Sequence, residues 1–274
     1  MERVGEFFST ARERYLIKQK RDSGHPPPWT EDPVLREWRF CNVHREDDRT
    51  TVWFRENIRS KLKGTKLIES TMIFRWFNRI NTGEILKNLL LGEWNTEEAR
   101  ERLLDVKPVV TGAYMIRTPE GLTKLDGVLH CINSALPDIK AISDEWGPSL
   151  KNAWEDLLPV YGLGPFMAYE IISDLRWTHL LKKADDIMTW ANAGPGCARG
   201  LGRVMSGDRR RFNRHLHQPE MELIMRDLLK KSQSEKFWPS EWPRWEMREV
   251  EHWACEFEKW CAAKDGRRLK RRFP

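Results

Sequence analysis

Two short segments place asparagine and arginine side chains at helical spacing. In "RFCNVHREDD" the residues Asn42, Arg45 and Arg49 recur three and four positions apart, so a helix would carry them on one face. An Asn amide can read the edge of a base such as uracil through one donor and one acceptor. An Arg guanidinium can clamp a phosphate through two parallel hydrogen bonds. The alternative is an exposed salt-bridge face formed with Asp48.

The segment "FRWFNRI" repeats the pattern in an aromatic setting. It places Arg75, Asn78 and Arg79 at positions i, i+3 and i+4 of a helix that is otherwise apolar. A buried charge without a partner is costly, so these side chains must find partners. They either line the same pocket as Asn42 and Arg45 or form structural bonds to carboxylates such as Asp48 or Glu256.

A third polar face lies near the end of the chain, in "VEHWACEFEKW". Helical spacing puts Glu251, His252, Glu256 and Lys259 on one surface. His252 and Glu256 have a spacing that a metal could use, but a complete HExxH is absent, so we expect no metal here. We expect instead that this face pairs with the Arg and Asn helices.

The stretch "LLPVYGLGPFMAYEIISDLRW" (157–177) predicts two helices joined by a tight turn. Gly162 and Gly164 lie in the turn and Pro165 takes the first position of the second helix. The first amides of a helix attract anions, and glycines let a phosphate approach the backbone. We therefore predict a helix-hairpin-helix over 150–180 that grips a nucleic-acid strand. An ordinary helix–helix turn is the alternative.

Positive charge is concentrated in two segments. The net charge is +6, yet 199–217 holds six arginines with one aspartate, and 264–274 holds six basic residues with one aspartate. Such concentration is typical of polyanion binding, although a solvated basic tail is the alternative for 264–274. The predicted DNA contacts besides Gly162 and Gly164 are Arg203, Arg209, Arg210 and Arg211.

Helical periodicity predicts an all-α protein. Beyond helices at the N-terminus and from Pro33, we expect helices at about 47–62, 65–80, 83–91, 96–105, 121–136, 138–158, 165–180, 184–193, 197–206, 218–231 and 245–263. Only 108–118 carries a strand signal, as an extended connector or short hairpin. The 274 residues predict one helical domain of two lobes, about 30–135 and 1–29 with 136–274.

Other features bound the class of protein. Five cysteines are an odd number without a CxxC pair, which indicates reduced thiols. The charged N-terminus lacks a signal-peptide core and no apolar run is long enough to cross a membrane. We therefore expect a cytoplasmic protein, in the host cytoplasm if a phage encodes it, with no membrane association.

Four stretches resemble a known group of helical proteins, those that act on hypermodified thymine in phage DNA. The stretches are "PPPWTEDPVLREWRFCNVHREDDRTTVW" (26–53), "FRWFNRINT" (74–82), 163–201 and "REVEHWACEFEKW" (248–260). The group includes the helical domain associated with 5-hydroxymethyluracil DNA kinases. It also includes the alpha-glutamyl/putrescinyl-thymine pyrophosphorylases, which are amino-acid:DNA transferases.

The resemblance implies a DNA-glycosylase-like superfold and action on a modified pyrimidine in double-stranded DNA. The expected reaction replaces the phosphate or pyrophosphate of phosphorylated 5-hydroxymethyluracil with an amine or amino acid. No cofactor is expected, and a hydroxymethyluracil DNA kinase is the expected functional partner. The sequence lacks GxxxxGK[ST], so this chain is not expected to carry the kinase activity itself.

The resemblance also assigns roles to residues. Asp186, at the predicted start of the 184–193 helix, is the preferred catalytic carboxylate, with Asp174 as the second candidate; capping and a solvated face are the alternatives. The predicted substrate-binding residues are Asn42, Arg45, Arg75, Asn78, Trp190, Arg199 and Glu256. Trp190 would stack on a base. Cys197 could add to the pyrimidine ring as a thiolate, or simply fit the turn.

Two other functions remain open from the sequence. One is a non-catalytic helical DNA-binding partner of a 5-hydroxymethyluracil DNA kinase. The other is a DNA glycosylase, which would release a free base and leave an abasic site.

Overall fold

The structure is a computed structural model that describes residues 1–142 and 146–273. Its α-helices in the described residues are α1 (Val4–Asp22), α2 (Pro33–Glu37), α3 (Arg49–Asn57), α4 (Gly64–Phe77), α5 (Ile80–Leu91), α6 (Thr96–Leu103), α7 (Lys124–Ala141), α8 (Leu150–Leu157), α9 (Pro165–Leu175), α10 (Pro195–Ser206), α11 (Gln218–Ser232) and α12 (Met247–Lys264). The prediction of an all-α fold is confirmed.

Strand structure is nearly absent from the described residues. It is limited there to one antiparallel bridge between Trp38 and Arg272. Beside this bridge Arg39 N–H donates to the Arg271 carbonyl at 3.0 Å, and Phe273 N–H donates to the Glu37 carbonyl at 2.9 Å. The basic tail is thus fixed along the chain at 37–39. Pro274 lies outside the described residues.

Several predicted helix bounds differ from the structure. The helix predicted over 138–158 instead comprises the end of α7, which continues through Pro137, and α8 from Leu150; residues 143–145 of that prediction lie outside the described residues. The helix predicted over 184–193 is wrong, because this segment forms turns. The segment 38–44 is not helical, so Asn42, Arg45 and Arg49 do not share a helical face.

The chain forms two compact units. The first unit comprises Met1–Asp48 and Ile187–Pro274, and the second comprises Arg49–Asp186. The predicted lobes had other bounds. Segment 150–180 belongs to the same unit as most of 30–135, since α4 packs against both α7 and α9.

An aromatic core holds the first unit together. The Phe7 ring makes edge contacts with Phe8, Trp245 and Phe257 at centroid distances of 5.1, 6.0 and 5.5 Å. Trp253 donates its indole N–H to the Phe7 carbonyl at 2.9 Å. These contacts tie α1 to α12 and fix the orientation of α12.

Glycines allow α10 to pack closely on α12. A Cβ at Gly200 would lie 1.8 Å from the Ala254 carbonyl oxygen, and one at Gly196 would lie 2.2 Å from Cys255 Sγ. The stretch "GPGCARGLGR", where the sequence predicted a helix over 197–206, is helical from Pro195, and its glycines make room for another helix.

The second unit is built around α4. Every residue of α4 from Leu67 to Phe77 is buried, and α5, α7 and α9 pack on it. Its C-cap is Asn78 at φ 46° and ψ 46°, a left-handed conformation that Asn tolerates better than most residues. No helix among the described residues has the length and apolar character needed to cross a membrane.

Candidate functional site

A cluster of ionisable and polar side chains lies in the first unit, where the segment 38–48 meets α12. We call it the polar cluster, and its members are Cys41, Asn42, Asp48, His252, Glu256 and Lys259. Active sites often contain clustered ionisable side chains whose pKa values are shifted. This cluster has both properties.

Hydrogen bonds to Asn42 shape the first wall of the polar cluster. Its N–H donates to Asp48 Oδ1 at 3.0 Å, and its side-chain amide donates to the Asp47 carbonyl at 2.7 Å. Buried Arg14 donates to Asn42 Oδ1 at 2.6 Å and to the Phe40 carbonyl at 3.3 Å. Asn42 therefore uses both ends of its amide to hold this loop in place.

Helix α12 supplies the second wall. His252, Glu256 and Lys259 follow one another at i, i+4 and i+7, so they share a face. His252 Nε2 lies 3.1 Å from the Asn42 carbonyl oxygen. Glu256 Oε2 accepts from Cys41 N–H at 2.9 Å and from Lys259 Nζ at 2.7 Å. The sequence predicted that this face pairs with the Arg and Asn helices; it contacts Cys41 and Asn42, which lie in a segment that is not helical.

Burial and neighbouring charges shift the pKa values in the polar cluster. Burial raises the pKa of Asp48 to about 6, although the Asn42 amide and Arg45 oppose the rise. Burial would also raise the pKa of Glu256, but Lys259 and His252 outweigh it and hold that pKa below its ordinary value. Burial raises the pKa of the Cys41 thiol well above its usual range. The carboxylate of Glu256 is therefore kept ionised in a largely buried place.

Four arginines surround a single carboxylate elsewhere in the first unit. We call them the arginine group: Arg199, Arg203, Arg209 and Arg267. Glu258 is 2% exposed; its Oε2 accepts a hydrogen bond from Arg203 Nε at 3.3 Å, and Arg209 Nε forms an ion pair with its Oε1 at 3.1 Å. Arg199 and Arg267 approach Glu258 at 3.9 Å each.

Positive charge exceeds negative charge around Glu258. Within the arginine group, Arg203 also pairs with the carboxylate of Asp265 at 2.6 Å. The side chains of Arg199, Arg209 and Arg267 are between 39% and 48% exposed. Such a surface can attract an anion.

Arg210 and Arg211 lie outside the arginine group. Arg210 is exposed, and its N–H donates to Asp208 Oδ1 at 2.8 Å. Arg211 approaches Glu220 at 3.8 Å and covers the Phe212 ring at 5.3 Å. The structure therefore brings together only part of the predicted basic segment.

The candidates of the second unit form a buried network. Arg75 donates Nε and Nη2 to the two carboxylate oxygens of Asp174 at 2.5 and 2.6 Å, and Nη1 to Asn78 Oδ1 at 2.8 Å. Asp174 has no exposed surface and Arg75 is 1% exposed. The Asp174 carbonyl also accepts from Arg59 at 3.1 Å. The ion pair between Arg75 and Asp174 holds α9 against α4.

The tight turn between α8 and α9 has the glycine geometry that the sequence indicated. Gly162 adopts φ +75°, and a Cβ there would lie 3.0 Å from the Trp76 ring. Gly164 is the N-cap of α9, and a Cβ on it would meet nothing within 4 Å. Tyr161 and Phe166 beside the turn are exposed. Binding of a DNA strand at this turn stays a prediction.

Asp186 caps a helix in the structure. Its carboxylate accepts from the Ser149 hydroxyl at 2.8 Å and from the backbone N–H groups of Leu150 and Lys151 at 2.6 and 2.9 Å. These are the first donors of α8, so Asp186 caps α8 across 36 residues of sequence. The sequence placed it at the start of its own helix, which does not form.

Two further candidates are internal. Trp190 is 8% exposed, so its ring does not present a free stacking face. Cys197 is fully buried in α10, with Sγ 3.7 Å from Met225 Sδ, and burial raises its thiol pKa well above the usual range. A reactive thiolate is not favoured in that setting, because burial and the nearby Glu251 carboxylate outweigh the opposing charge of Arg248 and keep the thiol protonated.

A family model with the description "5-hmdU DNA kinase, helical domain" matches residues 2–268. The chain belongs to this family. The resemblance seen in the sequence to the helical domain of 5-hydroxymethyluracil DNA kinases is therefore confirmed.

One curated relative of this 5-hmdU DNA kinase helical domain is the "5-hmdU DNA kinase" of Bacillus phage SP10. The two are 25% identical over 292 residues, which cover 93% of this chain and 44% of the relative. The chain thus spans less than half the length of that relative. No solved structure matches the chain.

The sequence did not nominate four members of the polar cluster in this family member. Asp48, His252 and Lys259 were noted for spacing alone, and Cys41 was counted only among the thiols. The signal that could have found Cys41 is its position directly before Asn42, inside a stretch that carries the resemblance. Its contact with α12 spans 215 residues and no local pattern reports it.

Proposed function

We propose that this chain takes part in the modification of 5-hydroxymethyluracil in DNA, as a transferase that acts on the phosphorylated base. The observation that carries the proposal is that one unit holds both a partly buried polar cluster beside α12 and a cationic arginine group around Glu258 of the same helix. The family match supports the choice of base, since the family is described by 5-hmdU DNA.

The reaction breaks one bond and forms another. The bond between the 5-methylene carbon and the phosphate oxygen breaks, and the phosphate or pyrophosphate leaves with the bonding electrons. The amine nitrogen forms a bond to the same carbon, and its surplus proton passes to water. Cations aimed at the departing oxygens stabilise their developing charge.

The side chains divide between two tasks in this proposal. The arginine group holds the phosphoryl group, since guanidinium pairs with phosphate through two hydrogen bonds. The polar cluster receives the extruded base, with Lys259 and Glu256 offering a donor and an acceptor. Asn42 and Arg14 position the loop. Arg210 and Arg211 contact the DNA backbone.

Mass spectrometry of nucleosides tests the transferase. DNA that carries phosphorylated 5-hydroxymethyluracil is incubated with the chain and candidate amines, and the expected result is a new base adduct with release of phosphate. No adduct and no phosphate release with any amine would rule the transferase out. Free base with abasic sites would instead indicate a glycosylase.

A matched pair of variants tests the leaving-group role. Replacing both Arg199 and Arg209 by Ala should lower kcat by roughly 10²-fold, the usual effect of removing charge stabilisation. Arg210→Ala removes one exposed charge outside the arginine group, so it should weaken DNA affinity while kcat stays unchanged. Equal changes in kcat would contradict the assignment.

A second function is favoured by the length of the curated relative. A chain that spans 44% of a protein called a 5-hmdU DNA kinase could be the module that holds 5-hmdU DNA for phosphorylation elsewhere. This module would bind 5-hmdU DNA more tightly than thymine DNA, measured by fluorescence anisotropy, and would leave the base unchanged. Transfer of label from ATP to the DNA by this chain alone would contradict it.

A further inference from the structure

Three different kinds of metal ligand converge within the polar cluster. One ligand atom each from Cys41, Asp48 and His252 lies within 4.8 Å of the other two. We propose that these three side chains bind a divalent metal ion of the zinc class. The inference does not depend on DNA modification, so it can be tested without a DNA substrate.

The distances around His252 are close to those that a bound zinc ion requires. His252 Nε2 lies 4.0 Å from Asp48 Oδ2 and 3.1 Å from the Asn42 carbonyl oxygen. Bonds of about 2.0–2.3 Å set the ligands of a tetrahedral zinc roughly 3.3–3.8 Å apart. Small side-chain adjustments would therefore close the site around an ion. A water completes four-coordination.

Neighbouring hydrogen bonds already hold two of the ligand residues. Asp48 Oδ1 accepts from Asn42 N–H at 3.0 Å, which leaves Oδ2 for the metal. Cys41 is fixed through its own N–H, which donates to Glu256 Oε2 at 2.9 Å. Such outer contacts orient the ligands of protein metal sites.

The charges of the two acidic ligands match a dication, while Arg14 and Arg45 are cations that already act on Asp48. A Cys41 thiolate and the Asp48 carboxylate would neutralise the two charges of the ion, and the thiol proton would pass to solvent as the metal–sulfur bond forms. Glu256 next to Cys41 is already neutralised by Lys259 at 2.7 Å. Because the ion brings two positive charges and one thiol proton leaves, binding raises the local charge by one unit, and the unit of ion, thiolate and Asp48 carboxylate is itself neutral.

The ligand types select among metals. Thiolate and imidazole are soft or borderline donors that favour zinc and its neighbours, whereas magnesium and calcium prefer oxygen ligands throughout. Three protein ligands with a fourth position open is typical of catalytic rather than structural zinc. The geometry fits an ion that could contact a further ligand.

Cobalt spectroscopy on the whole chain tests the site. The chain is freed of metal with a chelator, dialysed and titrated with Co²⁺. We expect one equivalent to bind with a thiolate-to-cobalt charge-transfer band, and Zn²⁺ to abolish that band by displacement. Absence of the band at saturating Co²⁺ would overturn the proposal.

Single substitutions assign the ligands. Cys41→Ser should abolish the charge-transfer band, while Asp48→Asn and His252→Gln should each lower zinc affinity by roughly 10-fold or more. Cys131→Ser, which changes a buried thiol of the second unit, is the matched control and should keep both the band and the affinity. Far-UV circular dichroism checks that each variant is folded.

A second measurement does not depend on the variants. Zinc retained after dialysis against micromolar Zn²⁺, measured by mass spectrometry of the metal, should be one ion per chain. A stoichiometry near zero would overturn the proposal, as would retention that is the same in Cys41→Ser as in the unaltered chain.

Discussion

The polar cluster of the first unit and the Arg75–Asp174 network of the second are built from similar residues and differ in how their charges are matched. Asp174 is fully buried and receives two hydrogen bonds from one guanidinium. The Asp48 side chain keeps 25% of its surface exposed, and the burial of the rest raises its pKa to about 6. The Arg75–Asp174 network holds helices together, whereas the polar cluster contains groups that can still bind or exchange a ligand.

The largest expected effect comes from making the same substitution in both regions. Asp174→Asn leaves Arg75 buried with an uncompensated charge, which should cost about 3–5 kcal/mol of the free energy of unfolding. Asp48→Asn keeps an acceptor for the Asn42 N–H and supplies the neutral side chain that burial favours. In metal-free protein it should change stability by less than about 1 kcal/mol.

Chemical denaturation of the two variants measures this difference. Replacing the pair Arg75 and Asp174 by Met and Leu is the control, because removing both charges should recover much of the loss. Equal destabilisation by Asp174→Asn and Asp48→Asn would remove the distinction between the two regions.

A third buried carboxylate sharpens the comparison through pH. Burial raises the pKa of Glu249 to about 7 from 4.5, with Glu246 adding to the rise. The folded protein therefore binds more protons than the unfolded protein between these values, so this group's contribution to stability falls as pH rises from 4.5 to 7. His44 acts in the opposite sense, since burial lowers its pKa to about 4.

The variant Glu249→Gln isolates this contribution. It keeps an acceptor for the Glu246 N–H at the start of α12. The stability of the unaltered chain relative to the variant should fall by on the order of 3 kcal/mol between pH 4.5 and 7. Denaturation midpoints across this range measure the difference, and parallel curves would show that Glu249 does not titrate in the window.

A smaller effect is expected from glycine substitutions in the two units. Gly200→Ala would push a methyl group into the Ala254 carbonyl and separate α10 from α12, which should cost about 1–3 kcal/mol. Gly164→Ala in the second unit is the control, because a Cβ there meets nothing within 4 Å. Thermal unfolding should separate the two variants. Equal melting temperatures would show that the contact of α10 with α12 can relax.

The sequence predicts the fold class because helix signals are local. The helix expected from Pro33 does begin there, and Asp32 directly before it accepts from the N–H groups of Val34 and Leu35 as a helix cap should. Apolar periodicity likewise reports which helix faces are buried. A helix was also predicted at 184–193, but this segment forms turns. Asp186 in these turns caps α8, which is distant in sequence.

The site is less predictable because its contacts join distant parts of the chain. The sequence indicated Asn42 and Glu256 separately. The hydrogen bond that brings their segments together runs from Cys41 N–H to Glu256 Oε2, across 215 residues of sequence. Burial of Trp190 and Cys197 could not be read from spacing either. The glycines of α10 signal close approach, but the sequence does not say whether a phosphate or another helix approaches.

The pairing of Arg39 with Arg271 has a mechanical consequence. Two backbone hydrogen bonds join the tail to residues 37–39, and Cys41 lies two residues beyond Arg39. A polyanion that displaced the tail would therefore have to break these bonds or displace the backbone that leads to Cys41.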